Sequence, residues 1–316
     1  MDTAAVKEEI HLEAMHLGFS KCGFASSRFL AEDFSRYETL IAENYHAEML
    51  YLGKEPQKRF YPSLIHPVIR TVIVLMAGYK TQAQQRKDAG YIISKYALIP
   101  DYHIIMMDQV KKLSSFIDGK YHPKILLNFV DTGPISEKAW ARQAGLGNFG
   151  KNSLIITPEG SYFFIGIILT DLFVDPDEPF YEDLCHDCDL CVKACPTQAL
   201  HKPYAVDARL CISYHTIENK KDIPASIVEK MGTKMYGCDV CQEVCPLNRR
   251  QAVNSVFFSP LSSLLDMRAK DFEAVGPTDF KQRFHESSML RLGYRRYKRN
   301  IEAVKKMAAS ERKRPS

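Results

Sequence analysis

The chain has 316 residues, 46% of them hydrophobic and 25% charged, with a formal net charge of +4. That length suits one large domain or two smaller ones, and the apolar fraction excludes a disordered chain. No run approaches the roughly 20 apolar residues of a membrane span, and the charged N-terminus lacks an apolar signal core, so a cytoplasmic protein without membrane contact is expected.

Residues 3–18 place Val6, Ile10, Ala14 and Leu17 at helical spacing and predict an amphipathic helix. Cys22, in the apolar segment KCGFA, reads as a buried structural thiol. TVIVLMA (71–77) is continuous, β-branched and closed by Gly78, which predicts an interior strand. Asp101 caps a predicted helix over 101–118. KILLNFVD (124–131) predicts a second buried strand ending at Asp131, a common place for a functional carboxylate, although helix capping is the plainer role. A Gly-Pro turn follows, then a helix over ISEKAWARQAGL closed by Gly145 and Gly147. SLIIT (153–157) and SYFFIGIILTD (161–171), joined by Pro-Glu-Gly, are expected to form a hairpin. Strands and helices thus mix over residues 1–175, an α/β or α+β sandwich. The acidic, proline-punctuated DPDEPFYED (175–183) marks a boundary. Beyond it lie a cysteine-rich segment over 176–250 and a basic helical segment over 251–316.

Residues 281–316 hold twelve Lys or Arg against three Asp or Glu, a net of +9, leaving −5 for the first 280. Within them Arg291, Arg295, Arg296, Lys298 and Arg299 are interleaved with Tyr294 and Tyr297. Such a run is either a solvated tail or a phosphate-facing surface whose rings stack on bases. Lys54, Lys95 and His103 read as surface or core residues. The glycine-rich GLGNFGK (145–151) matches no phosphate-binding fingerprint.

Eight of the nine cysteines fall between 185 and 245. The first group is Cys185-x2-Cys188-x2-Cys191-x3-Cys195-Pro196; the second is Cys211, then Cys238-x2-Cys241-x3-Cys245-Pro246. This is the bacterial ferredoxin spacing, in which the fourth cysteine of each run ligates the other cluster. Cys185, Cys188, Cys191 and Cys245 are therefore assigned to one [4Fe–4S] cluster, and Cys195, Cys211, Cys238 and Cys241 to a second. Structural zinc is the competing reading, but zinc ribbons need only paired CxxC knuckles.

With these motifs, the chain resembles the epoxyqueuosine reductases almost end to end. The resemblance is carried by EMLYLGKEPQKR (48–59), ISKYALIPDYH (93–103), VDTGPISEKAWARQAGLGNFGKNS (130–153) and both cysteine groups. DARLCISYHTIENK (207–220), MYGCDVCQEVCPLN (235–248) and FKQRFHESSMLRLGYRRYKRNI (280–301) extend it. It implies a domain that binds base-off cobalamin, followed by a two-cluster ferredoxin-like module. It implies reduction of epoxyqueuosine to queuosine in a tRNA anticodon loop, with an electron donor as second partner and a monomeric enzyme. Asp131 matches the family's proton donor, which near neutral pH calls for burial to raise its pKa above about 3.9. Cobalamin contacts map to Lys54, Ser94, Ser136, Lys138, Ser213 and Asp239. Asn148-Phe149 stands where the family usually has Trp-Ile. The chain stops at Ser316 without the helical repeats of many relatives, so tRNA contact is expected on the ferredoxin surface and basic segment. A corrinoid reductase with another substrate, and a ferredoxin-like electron carrier without catalysis, are the alternatives.

Overall fold

The structure is a computed structural model that describes residues 2–252 and 256–311. Asp2 accepts hydrogen bonds from the Ala4 and Ala5 amides and so starts α1 (Thr3–His16), whose Val6, Ile10 and Ala14 stripe is buried. β1 (Lys21–Ser26), α2 (Ala31–Ala42) and the fully buried β2 (Thr71–Gly78) follow, then a two-residue β3 (Ile92–Ile93). Asp101 caps α3 (Tyr102–Tyr121). Next come β4 (Leu126–Phe129), α4 (Glu137–Gln143), β5 (Asn148–Phe149), β6 (Ile155–Ile156) and β7 (Phe163–Thr170).

Four strands form one antiparallel sheet in the order β1-β2-β7-β4. Alternation along β2 sends Ile73, Leu75 and Ala77 to a core shared with α1 and α3. Val72, Val74 and Met76 face the other core, with α2 and α4. The result is a three-layer sandwich, and the antiparallel pairing makes it α+β. α3 lies so close to β7 that a Cβ on Gly166 would press within 2.8 Å of Val110. Cys22 is buried in β1, and burial raises its thiol pKa well above the ordinary range.

The expected hairpin over 153–171 does not form. Thr157 and Gly160 make one isolated bridge, but β6 pairs with β5, whereas β7 joins the main sheet between β2 and β4. The turn chemistry is local and correct; the strand partner is decided by β7's apolar faces, which need both cores.

The acidic stretch after β7 lies along the sandwich: Asp177 exchanges two 2.8 Å hydrogen bonds with the Phe24 backbone, and Asp175 accepts from Thr3 at 2.6 Å. Then come α5 (Leu190–Ala194), α6 (Ile212–Ile217), α7 (Ala225–Met231), β8 (Lys234–Tyr236), α8 (Val240–Glu243) and α9 (Pro246–Arg250). α10 (Ser262–Leu265), α11 (Ala269–Ala274), α12 (Pro277–Phe284) and α13 (Tyr294–Glu311) end the described chain. Arg312, Lys313 and Arg314 of the basic segment lie outside the described residues. A third core joins this half to residues 89–98, and β3 pairs in parallel with β8.

The basic helix faces inward more than its composition suggests. Tyr297, a candidate for stacking on bases, is fully buried and donates to the Phe272 carbonyl at 2.7 Å. Arg296 donates to the Ile217 carbonyl at 2.6 Å, and Arg299 to those of His215 and Asn219 at 2.8 and 2.7 Å. These carbonyls at the end of α6 lack helical partners, so the guanidinium groups cap them. Arg295 remains exposed.

Candidate active site and cluster-binding loops

Asp131 sits two residues beyond β4 in the left-handed backbone region, at φ 56°. A non-glycine residue there costs about 1 kcal/mol or more and persists only where its surroundings hold it. Its amide donates to Glu137 Oε1 at 2.5 Å, and its Oδ2 accepts from the Tyr102 hydroxyl at 2.7 Å. His103 Nε2 lies 3.5 Å from the same oxygen. Both partners come from the start of α3, where Asp101 Oδ1 accepts from the His103 amide at 3.1 Å and contacts His103 Nδ1 at 2.7 Å. Arg291, from the 3-10 turn Ser288–Leu292, donates to Asp101 Oδ2 at 3.0 Å. Tyr102 stacks on Phe164 of β7 with ring centroids 4.0 Å apart.

The Asp131 side chain is nevertheless 61% exposed. Burial acts to raise its pKa, but hydrogen bonds from His103 and Tyr102 and the His103 and Lys138 charges outweigh it, and the carboxyl lies below its ordinary value. This reverses the expectation of a raised pKa, because polar partners converge on the one oxygen. Burial lowers the His103 imidazole, yet Asp101 and Asp131 together raise it on balance. Glu137 carries the raised carboxyl: burial, then the Asp131 charge, push it up to about 8. Burial also lowers Lys138, whose Nζ donates to the Ser153 carbonyl at 2.9 Å.

The six residues expected to contact a cofactor fall in several places. Ser94 is buried, its hydroxyl acting on the neighbouring Asp239 carboxylate, and its amide donates to the Tyr236 carbonyl at 2.8 Å. Asp239 lies beside it and accepts from the Lys95 amide at 2.7 Å. Gly237, at φ 73°, leaves the Ser94 hydroxyl room that any Cβ would fill. Ser136 precedes α4 and Lys138 lies on it, near Asp131. Lys54 is exposed after the turn Leu50–Gly53, and Ser213 is half-buried on α6. The segment before Lys54 docks on α6, where the Glu48 amide donates to the Tyr214 hydroxyl at 3.2 Å. Sequence reasoning missed His103, Tyr102, Glu137, Arg291 and Tyr51. Tyr51 is pushed up to about 12, by burial first and then by the Glu218 and Asp131 charges. The motif IPDYH carried the signal for the first two.

Downstream, α5 and α8 pack together, each within a Cys-x2-Cys-x3-Cys run. Cys211 and Cys245 stand at the N-caps of α6 and α9. Cys185, Cys188 and Cys245 all act on Cys191, whose thiol is raised to about 11 by burial and then by these neighbours. Cys238 is raised to about 11 by burial, with Cys211 nearby; Cys195 in turn acts on Cys211, and Cys211 and Cys238 on Cys241. The eight thiols thus occupy two neighbourhoods, and Cys191 also reaches Cys241. Raised thiols give up their protons when iron binds. The Lys151 amide donates to Cys185 Sγ at 3.5 Å, and Cys188 is exposed.

A sandwich that presents an exposed carboxylate held by Tyr102 and His103, joined to paired ferredoxin-type cysteine loops, defines an iron–sulfur oxidoreductase. Residues 184–248 match the family model for the 4Fe-4S double cluster binding domain, and residues 59–132 that for epoxyqueuosine reductase QueG, DUF1730. The chain belongs to the epoxyqueuosine reductase family. It is 40% identical to the epoxyqueuosine reductase of Cellulophaga algicola over 94% of this chain and 97% of that one. With that of Cyclobacterium marinum it shares 35% identity over 94% and 96% of the two chains. It superposes with a TM-score of 0.87 and 29% identity on an epoxyqueuosine reductase solved with an epoxyqueuosine-modified tRNA-Tyr stem loop, covering 96% of this chain and 81% of that one. The Streptococcus thermophilus enzyme gives a TM-score of 0.85 at 28% identity, over 95% and 80%. No described helix is long and apolar enough to cross a membrane.

Proposed function

We propose that this enzyme works in the cytoplasm as a monomer and reduces the epoxide of epoxyqueuosine, within a tRNA anticodon loop, to the alkene of queuosine. The carrying observation is Asp131, exposed and fixed by Tyr102 and His103 in a backbone conformation it would not otherwise keep. It donates the proton that lets the epoxide oxygen leave. Residues 1–175 form the cofactor-binding domain, with 89–98 packed against the later half; 176–250 form the cluster module and 251–316 the basic helical segment. Exposed Arg295 and half-exposed Lys298 meet tRNA phosphates.

Cys185, Cys188, Cys191 and Cys245 hold one cluster, and Cys195, Cys211, Cys238 and Cys241 the other; ferredoxin spacing and the two thiol neighbourhoods support this division. Electrons from a donor enter beside the exposed Cys188 and pass to the second set, next to Asp239 and Ser213. Base-off cobalamin would be held by Lys54, Ser94, Ser136, Lys138, Ser213 and Asp239. The residues fit that group: Gly237 leaves a cradle beside the buried Ser94 hydroxyl that a Cβ would fill, and hydroxyl, ammonium and carboxylate groups suit the amide side chains of a corrin. When bound, it supplies a low-potential metal centre able to reduce a strained C–O bond.

Anaerobic incubation of the reconstituted protein with cobalamin, a reductant and epoxyqueuosine-bearing tRNA should yield queuosine by nucleoside mass spectrometry. Absence of queuosine from fully loaded protein overturns the reading. Iron analysis should find about eight atoms per chain, falling to about four in Cys211→Ser as one cluster is lost. A variant that keeps all its iron overturns the placement of Cys211.

A further inference from the structure

Reducing an epoxide to an alkene takes two electrons and two protons. One C–O bond breaks as the oxygen takes a proton and becomes a hydroxyl. The second breaks as that hydroxyl takes another and leaves as water, while the carbons gain the double bond. The exposed carboxyl of Asp131, held below its ordinary pKa, is ionised near neutral pH, so each proton it passes on must first be taken up. Resupply must come from a neighbour.

The contacts around His103 single out that neighbour. Its Nδ1 lies 2.7 Å from Asp101 Oδ1, and Arg291 on the far oxygen keeps Asp101 a carboxylate. Nδ1 therefore carries its hydrogen permanently, and Nε2 is the nitrogen that gains and loses one. Nε2 faces Asp131 Oδ2 at 3.5 Å. Ring stacking on Tyr102, with centroids 4.0 Å apart, fixes the imidazole plane. We propose that His103 is the proton store of this site, recharging Asp131 through Nε2 so that both protons leave by one carboxyl, with Asp101 and Arg291 as positioning residues. This rests on the reading of Asp131 as the group facing the epoxide oxygen. His103 acts through Asp131 and is itself a positioning residue in that sense.

The titratable and charged groups facing His103 are Asp101 and Tyr102 beside it, Asp131 beyond β4 and Arg291 from the turn before α13. Behind Asp131 stand Glu137, Lys138 and Tyr51. The carboxylates favour the imidazolium, so the store is full below the raised His103 pKa and empties as pH rises through it. Turnover should accordingly hold on the acid side and fall along one alkaline limb.

Asp101→Asn keeps a helix cap but removes the charge, and should move that limb toward acid by about one pH unit. The His103 ring resonances, followed by NMR in the holoenzyme, should titrate earlier by the same amount. His103→Gln should lose turnover by at least about 10²-fold and abolish the limb, with iron content unchanged. A limb and an NMR titration that stay in place in Asp101→Asn, or a limb that survives in His103→Gln, overturns the relay. If wild-type enzyme makes no queuosine, the functional reading fails instead, and the NMR titration separates the two cases.

Discussion

Asp131→Asn is expected to lower kcat about 10²–10⁴-fold while both clusters and cobalamin affinity are retained. The amide matches the carboxylate in shape, and asparagine tolerates the left-handed conformation at φ 56° better than most residues. Tyr102 can still donate to the amide oxygen, so the loop after β4 should keep its place. What is lost is the proton shuttle. Because the substitution leaves contacts with the rest of the substrate intact, the fall should appear in kcat with KM little changed. Single-turnover measurement of queuosine formation, with iron content and corrin absorbance as controls, checks it. Unchanged turnover removes Asp131 from the chemistry.

The largest effect on stability is expected from Asp33→Ala. Asp33 on α2 and Arg142 on α4 are both buried, and Arg142 Nη2 lies 2.6 Å from each carboxylate oxygen. Burial raises the Asp33 pKa, partly offset by the Arg142 charge, so each ion depends on the other. Removing one leaves an unpaired charge inside the protein and costs about 3–5 kcal/mol. The damage should travel, because Arg142 also lies over the rings of Phe149 and Tyr181, close to the loop whose Lys151 amide reaches Cys185. Asp33→Leu combined with Arg142→Met should recover most of the loss, since well-packed apolar residues often replace a buried ion pair at little cost. Denaturant midpoints of the two variants, read beside iron content, decide it. Equal midpoints for Asp33→Ala and wild type would show that the pair contributes nothing.

Local patterns made much of the molecule readable from its residues. α1, β2 and α3 follow from apolar periodicity and capping, and the cluster loops from fixed cysteine spacing, which chain geometry enforces over a few residues. Pairings between distant segments were not readable. β7 carries an ordinary hairpin signal at its start, yet its partners are β2 and β4. Tyr297 among arginines looks like a nucleic-acid surface, but the same alternation also describes a helix that buries one ring per turn and caps carbonyls with its neighbours. The surroundings of Asp131 were hidden for the same reason. Tyr102 and His103 reach it from another part of the chain, and their hydrogen bonds reverse the pKa shift that burial alone would impose.

The pairing of β3 with β8 has a consequence for synthesis on the ribosome. Ile92 meets Lys234, a partner about 140 residues later, and residues 89–98 contribute Tyr91 and Ile93 to the later core. The main sheet needs nothing beyond Thr170 to complete its four strands and can close early. The segment between β2 and α3 must then wait, anchored at both ends, until residue 236 has emerged. Contacts spanning so much chain form slowly. Cluster insertion next to Tyr236 therefore falls late in the life of the nascent protein, when nearly all of it is already made.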